Sequence, residues 1–156
     1  MTEAPIRSIL FVCLGNICRS PLAEGVFHHV LSEAGNDLQM HLDSAGTGAW
    51  HAGNPPDPRS IEVAAKYGID ISAQRARQVV TEDFDRFDLI LAMDKSNLRN
   101  LRSLQPKTSR AMVRLFLASP ATDVPDPYYG HDDGFETVYQ MLHAGSRALL
   151  SELAGS

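Results

Sequence analysis

Three runs of the chain are apolar almost throughout and short enough for strands buried on both faces: residues 8–13 (SILFVC), 88–93 (DLILAM) and 111–118. A fourth stretch, residues 40–45, alternates Met40, Leu42 and Ser44 with His41, Asp43 and Ala45 and reads as another strand. Between these the apolar period changes to that of helices. Leu22, Val26 and Val30 form one row at four-residue spacing and Ala23, Phe27 and Leu31 an adjacent row, with Pro21 suited to the first turn and Gly35 to the stop. A shorter helix is predicted over 59–67, ending at Gly68. Thr81, followed by Glu82 and Asp83, reads as a helix start with acids where the dipole favours them. Asp94 can cap a helix over 95–104, which stops before Pro106. The last helix opens with a capping-box-like pattern at 133–136, and its apolar face is Phe135, Val138, Tyr139, Leu142, Leu149, Leu150 and Leu153. Pro120, Pro125 and Pro127 make the loop 119–131 kinked and locally stiff.

Strands that alternate with helices predict an α/β fold. We expect a single three-layer domain over residues 1–156, with a central four-stranded parallel sheet, right-handed crossovers and helices on both faces. Ligands of such sheets sit beyond the carboxyl ends of the strands. Cys13, Ser44, Asp94 and the loop 119–131 all follow predicted strands.

Composition narrows the function classes. With 156 residues, 44% hydrophobic and 21% charged, the chain has the size and balance of one globular domain. Fourteen Lys+Arg against 19 Asp+Glu give a net charge of −5, which argues against broad binding to nucleic acid or an anionic membrane. No apolar run approaches the roughly 20 residues of a membrane span. The first residues lack the basic start and long apolar middle of a secretion signal. The two cysteines, Cys13 and Cys18, are too few for a secreted disulfide scaffold, so a cytoplasmic location is expected.

The candidate chemistry lies in residues 12–21, VCLGNICRSP, which join the first strand to the first helix. A loop in that position aims successive backbone N–H groups and the positive end of a helix into one cavity. Gly15 and Asn16 accept the left-handed conformations such a nest needs. Arg19 adds a planar two-pronged donor matched to phosphate oxygens. Cys13 opens the loop, where the electropositive surroundings favour a thiolate nucleophile. A nucleotide-triphosphate loop or a dinucleotide fingerprint would need glycines that are absent. A lone cysteine at a strand end is usually just buried, but here spacing, Gly15, Asn16, Ser20-Pro21 and the strand–helix context agree on a phosphate cradle. Zinc binding by both cysteines with His28 and His29 lacks the usual spacing, and no metal or other cofactor is expected.

The loop CLGNICRS and the distant residues 126–130 (DPYYG) resemble the two signatures of the low-molecular-weight protein tyrosine phosphatases, bacterial-type members included. DSAGTGAW (43–50), DPRS (57–60), ARQV (76–79) and MDKSNLRNL (93–101) follow in family order. The resemblance implies that Cys13 attacks phosphorus to form a phosphocysteine. Arg19 and the N–H groups from Leu14 through Gly15, Asn16, Ile17 and Cys18 would hold the phosphate oxygens. It implies that Ser20 hydrogen-bonds the thiolate, that Asn16 holds the strained loop with Ser44 among its supports, and that Asp94 supports the site as well as capping a helix. Asp126, rather than Asp123, would give a proton to the leaving oxygen and then activate water. Leu14, Trp50, Tyr128 and Tyr129 would form the substrate wall. Ile17 stands where an arginine-phosphate-cleaving relative has threonine, so phosphotyrosine is the expected substrate.

The resemblance also implies a reversible Cys13–Cys18 disulfide on oxidation; the alternative for Cys18 is a small buried residue supporting the loop. Gln74 stands where some animal members have a histidine that anchors the loop's support network, and it cannot titrate. His51 and the residues after it look like the bacterial branch and would line the rim. The expected partner is a tyrosine-phosphorylated protein, of which a bacterial tyrosine kinase is one example, and the expected state is a monomer or weak dimer. Two alternatives stay open at this point: an arsenate reductase of the same fold, which would normally need further cysteines, and a phosphotyrosine-binding module without turnover.

Overall fold

The first strand, β1 (Ser8–Cys13), is buried at all six positions because it lies inside the sheet with helices on both sides. The structure, a computed structural model, describes residues 5–35, 40–128, 130 and 133–154. β2 (His41–Gly46), β3 (Leu89–Ala92) and β4 (Met112–Leu115) complete a parallel sheet in the order β2-β1-β3-β4. The two-residue side-chain alternation splits β1 between two cores. Ile9, Phe11 and Cys13 pack with α1 (Arg19–Glu33), α2 (Pro58–Lys66) and α5 (Asp133–Ala154). Leu10 and Val12 pack with Phe84 of α3 (Asp83–Arg86) and Leu101 of α4 (Lys95–Leu104). The α/β expectation therefore holds.

Local rules account for most boundaries. Both predicted rows of α1 are buried, and Gly35 adopts φ 60° where that helix stops. Asp57 caps α2, its Oδ1 accepting from Arg59 N at 2.9 Å, and Asp94 caps α4, accepting from Asn97 N at 2.8 Å. The helix start read at Thr81 to Asp83 is present as the single turn of α3, where Asp83 accepts from Val80 N at 2.8 Å and pairs with Arg77 at 3.0 Å. One expectation needs correction: the fourth strand ends at Leu115, short of Ala118. Phe116 turns into the core where Gly145 of α5 has no Cβ to obstruct its ring, and the chain then forms a hairpin of β5 (Leu117–Ala118) and β6 (Ala121–Thr122).

The carboxyl ends of the strands bring four segments together. β2 ends at Gly46, and just beyond it Thr47 N donates to Cys13 O and Gly48 N to Leu14 O, both at 2.9 Å. A Cβ on Gly46 would lie 2.8 Å from Leu14 O and 3.1 Å from Asn16 N. Gly46→Ala is expected to lower stability by about 1–3 kcal/mol in urea unfolding, because backbone rather than a flexible side chain must give way. It should also weaken inorganic phosphate binding in calorimetry by displacing the loop. Unchanged unfolding and binding would mean that the strand end does not brace the loop.

Candidate active site

Asn16, at φ 59°, is the one non-glycine among the described residues with a left-handed backbone. Its carboxamide makes three hydrogen bonds: Nδ2 donates to Ser20 Oγ at 2.8 Å and Ser44 Oγ at 3.0 Å, and Oδ1 accepts from Arg77 N at 2.9 Å. The loop carbonyls point outward. Cys13 O and Leu14 O accept from beyond β2, Ile17 O from Asp57 N at 2.8 Å, and Cys18 O from Ser60 Oγ at 3.1 Å. Among the described residues, the N–H groups of Gly15, Asn16, Ile17 and Cys18 donate to no protein acceptor. Carbonyls out and N–H groups unpaired is the arrangement of an anion-binding nest at a helix start.

The two cysteines differ despite sharing one cavity. Cys13 Sγ lies 3.0 Å from Ser20 Oγ and 3.4 Å from Ser20 N, so two groups can donate to a thiolate there. Burial, then the charges of Asp57 and Cys13, pushes the Cys18 thiol well above its ordinary range and keeps it neutral. Both thiols are free in this structure.

Arg19 is 2% exposed although it carries a full charge. Nη1 donates to Asp94 Oδ2 at 2.7 Å and to Val124 O at 2.9 Å, so its charge is paired and its position held. Burial works to lower its pKa, but Cys13 and the hydrogen bond to Asp94 more than offset that, and the guanidinium stays cationic. Its Nε is buried without a partner, and Nη2 sits 3.6 Å from Asp126 Oδ2, too far for a hydrogen bond. One edge of the guanidinium is thus anchored and the other left for an anion. Asp94 both caps α4 and holds Arg19. Asp123 instead binds Lys95 N at 3.0 Å, whereas Asp126 lines the cavity with Cys13 and Arg19.

That cavity has a volume of about 410 Å³. Leu14 and Trp50, 42% and 72% exposed, stand on its rim with half-buried Tyr128, and Ile17 and His51 also line it. The Trp50 ring lies against Gly48, where a Cβ would come within 1.8 Å of the ring. Tyr129 lies outside the described residues. Gln74 is not part of the Asn16 network; its Nε2 donates to Pro21 O at 3.0 Å in the first turn of α1.

Sequence reasoning gave no role to Arg59, which braces the acid loop. Its Nη2 pairs with Asp57 Oδ2 at 3.0 Å and donates to Tyr128 O at 3.1 Å, and its guanidinium stacks over the Phe135 ring at 4.5 Å. The signal was the Asp57-Pro58-Arg59 opening of α2, read as a segment in family order and as a helix from residue 59, without its pairing. Arg77 was missed as well; it joins Asn16 to Asp43 and Asp83.

The family model described as low molecular weight phosphotyrosine protein phosphatase matches residues 8–156. The chain is 51% identical over 151 residues to the low molecular weight phosphotyrosine protein phosphatase of Schizosaccharomyces pombe, covering 94% of this chain and 96% of that one. It is 42% identical over 150 residues to the low molecular weight protein-tyrosine-phosphatase YfkJ of Bacillus subtilis, covering 94% and 95% of the two chains. The crystal structure of a protein tyrosine phosphatase from Entamoeba histolytica superposes with a TM-score of 0.89 at 36% identity, over 96% of this chain and 97% of that one.

Two substitutions separate Asn16's backbone contribution from its side-chain contribution. Asn16→Gly keeps the left-handed turn but loses the three hydrogen bonds, and should cost about 1–3 kcal/mol in urea unfolding. Asn16→Ala should cost about 1–2 kcal/mol more, because alanine resists φ 59°. A glycine variant as stable as wild type would show that the clamp contributes nothing to the fold.

Proposed function

The chain belongs to the low molecular weight phosphotyrosine protein phosphatase family and is a protein-tyrosine-phosphatase; from that premise we propose how its own residues carry the reaction. The observation that supports the reading most is the meeting of Cys13 Sγ, the unpaired edge of Arg19 and Asp126 in one cavity. The Cys13 thiolate attacks the phosphorus of a phosphotyrosine, a P–S bond forms, and the P–O bond to the phenol breaks. Asp126, in its protonated form, delivers its proton to the departing phenolate oxygen. Asp126 then takes a proton from water as that water attacks the phosphocysteine. The P–S bond breaks, inorganic phosphate leaves, and the thiolate is restored with Ser20 as its donor.

The phosphoryl oxygens gain charge stabilisation from Arg19 Nε and Nη2 and from the N–H groups of residues 14–18, groups already oriented before substrate arrives. The phenyl ring is held between Trp50, Leu14 and Tyr128 at the rim. The scheme calls for no metal in any step. Oxidation of Cys13 by a peroxide to a sulfenic acid would allow Cys18 to displace water and form a disulfide, a reversible off state.

Hydrolysis of p-nitrophenyl phosphate at mildly acidic pH, with reductant and a chelator present, tests the scheme. Wild type should turn over undiminished by the chelator, and Cys13→Ser should be inactive. Asp126→Asn should lose about 10²- to 10⁴-fold in kcat, and less with substrates whose leaving group needs no proton. Phosphate binding by wild type without nitrophenol release would replace the enzyme reading with a phosphotyrosine-binding module.

A further inference from the structure

The opening of α2, Asp57-Pro58-Arg59-Ser60, reaches both halves of the active site. Two of its residues hold the phosphate loop: Asp57 N donates to Ile17 O at 2.8 Å and Ser60 Oγ to Cys18 O at 3.1 Å. Arg59 reaches instead to the loop that carries Asp126. Its Nε donates to Asp57 Oδ1 and its Nη2 to Asp57 Oδ2, both at 3.0 Å, a two-pronged pair that fixes the guanidinium plane. The buried Phe135 ring of α5 lies against that plane, 4.5 Å from its central carbon. The second hydrogen of Nη2 goes to Tyr128 O at 3.1 Å. Burial works to raise the pKa of Asp57, but the hydrogen bonds from Arg59 more than offset that, so the anchor of the guanidinium stays an anion.

Tyr128 passes this restraint on. Its N–H donates to Asp126 Oδ1 at 3.1 Å, so the residue that Arg59 holds by the carbonyl holds the acid by its amide. Pro127, between the two, has a fixed φ, and Gly130 N closes the turn onto Pro127 O at 3.0 Å. With an N–H on Oδ1, the proton of the acid belongs on Oδ2, the oxygen 3.6 Å from Arg19 Nη2. The Asp126 side chain is 36% exposed, so packing alone does not set its place.

We propose that Arg59 is a positioning residue for proton transfer to the leaving group: from the same turn of α2 that holds the phosphate loop, it grips the Tyr128 carbonyl and so sets the reach of Asp126 Oδ2 over the phosphorus. The inference rests on the acid role given to Asp126 above. Arg59 does not line the catalytic cavity, so its effect passes through the residues it holds. One turn of helix then fixes the distance between cradle and acid. A misplacement of about 1 Å in such a geometry costs about 10²-fold in rate.

The dependence of kcat/KM on the leaving group tests this, because kcat/KM reports the step in which the phenol departs. Phenyl phosphate expels a group of pKa about 10, which needs the proton, whereas dinitrophenyl phosphate expels an anion that is stable without it. Neither carries a peptide, so contacts of Arg59 with flanking residues cannot contribute. Arg59→Met keeps an apolar stem against Phe135 but has no donor. It should lose about 10- to 100-fold on phenyl phosphate and less than about threefold on dinitrophenyl phosphate. Arg59→Lys keeps a cation for Asp57 without the fork that also reaches Tyr128, so it should unfold in urea like wild type and show the same selective loss. Inhibition by inorganic phosphate should be unchanged in both variants, since Asp57 N and Ser60 Oγ still hold the cradle.

In an Asp126→Asn background neither substitution should lower phenyl phosphate turnover further, because the acid being positioned is gone. Equal losses on the two phosphates, losses that multiply with that of Asp126→Asn, or wild-type kinetics in both Arg59 variants would each overturn the proposal. If Arg59→Met does not fold, Arg59→Lys carries the same comparison. An Asp126→Asn enzyme as fast as wild type on phenyl phosphate would instead defeat the acid role itself, which is a distinguishable result.

Discussion

The side chain of Asn16 is the point on which the rest of the site depends. A nest of inward N–H groups is a collection of unpaired donors, so its shape depends on bonds made from outside it. The loop keeps its shape because one carboxamide ties its turn to the start of α1 at Ser20, to β2 at Ser44 and to the segment after α2 at Arg77. Gly46 lets the loop lie against the strand end, and Asp57 and Ser60 at the start of α2 bind its far carbonyls. Three elements thus hold the backbone from outside, and the interior is left free for an anion.

Electrostatics follow the same division between held and free. A buried guanidinium is tolerated because Asp94 and the Val124 carbonyl take one edge of it. The other edge, with its unpaired Nε, gains a full set of partners only when a phosphate enters. Substrate therefore completes the pairing of a charge that the fold alone leaves half satisfied. The loop carrying Asp126 is braced separately, by Arg59 acting on Tyr128 from α2, so acid and cradle belong to different parts of the chain and meet across the cavity.

The supports continue into a further layer. Arg77 binds Asn16 through its backbone and Asp43 and Asp83 through its guanidinium.

The sequence by itself determined the sheet, the helices and the phosphate loop, because each is encoded locally. Apolar runs such as 8–13 can only be satisfied between two layers, the rows of α1 fall at helical spacing, and Cys13 through Arg19 occupy one short connection. The family resemblance extended that reading to Asp126, whose place over the loop no periodicity reveals. Tertiary structure alone decided the partnerships between distant segments: Arg19 with Val124, Asn16 with Arg77, and Arg59 with Tyr128. It also decided the end of β4, which local pattern placed too far along: Phe116 answers a gap at Gly145, a residue distant in the chain. Hydrogen-bond and packing partners of that kind are set by how the layers stack, which no local spacing records.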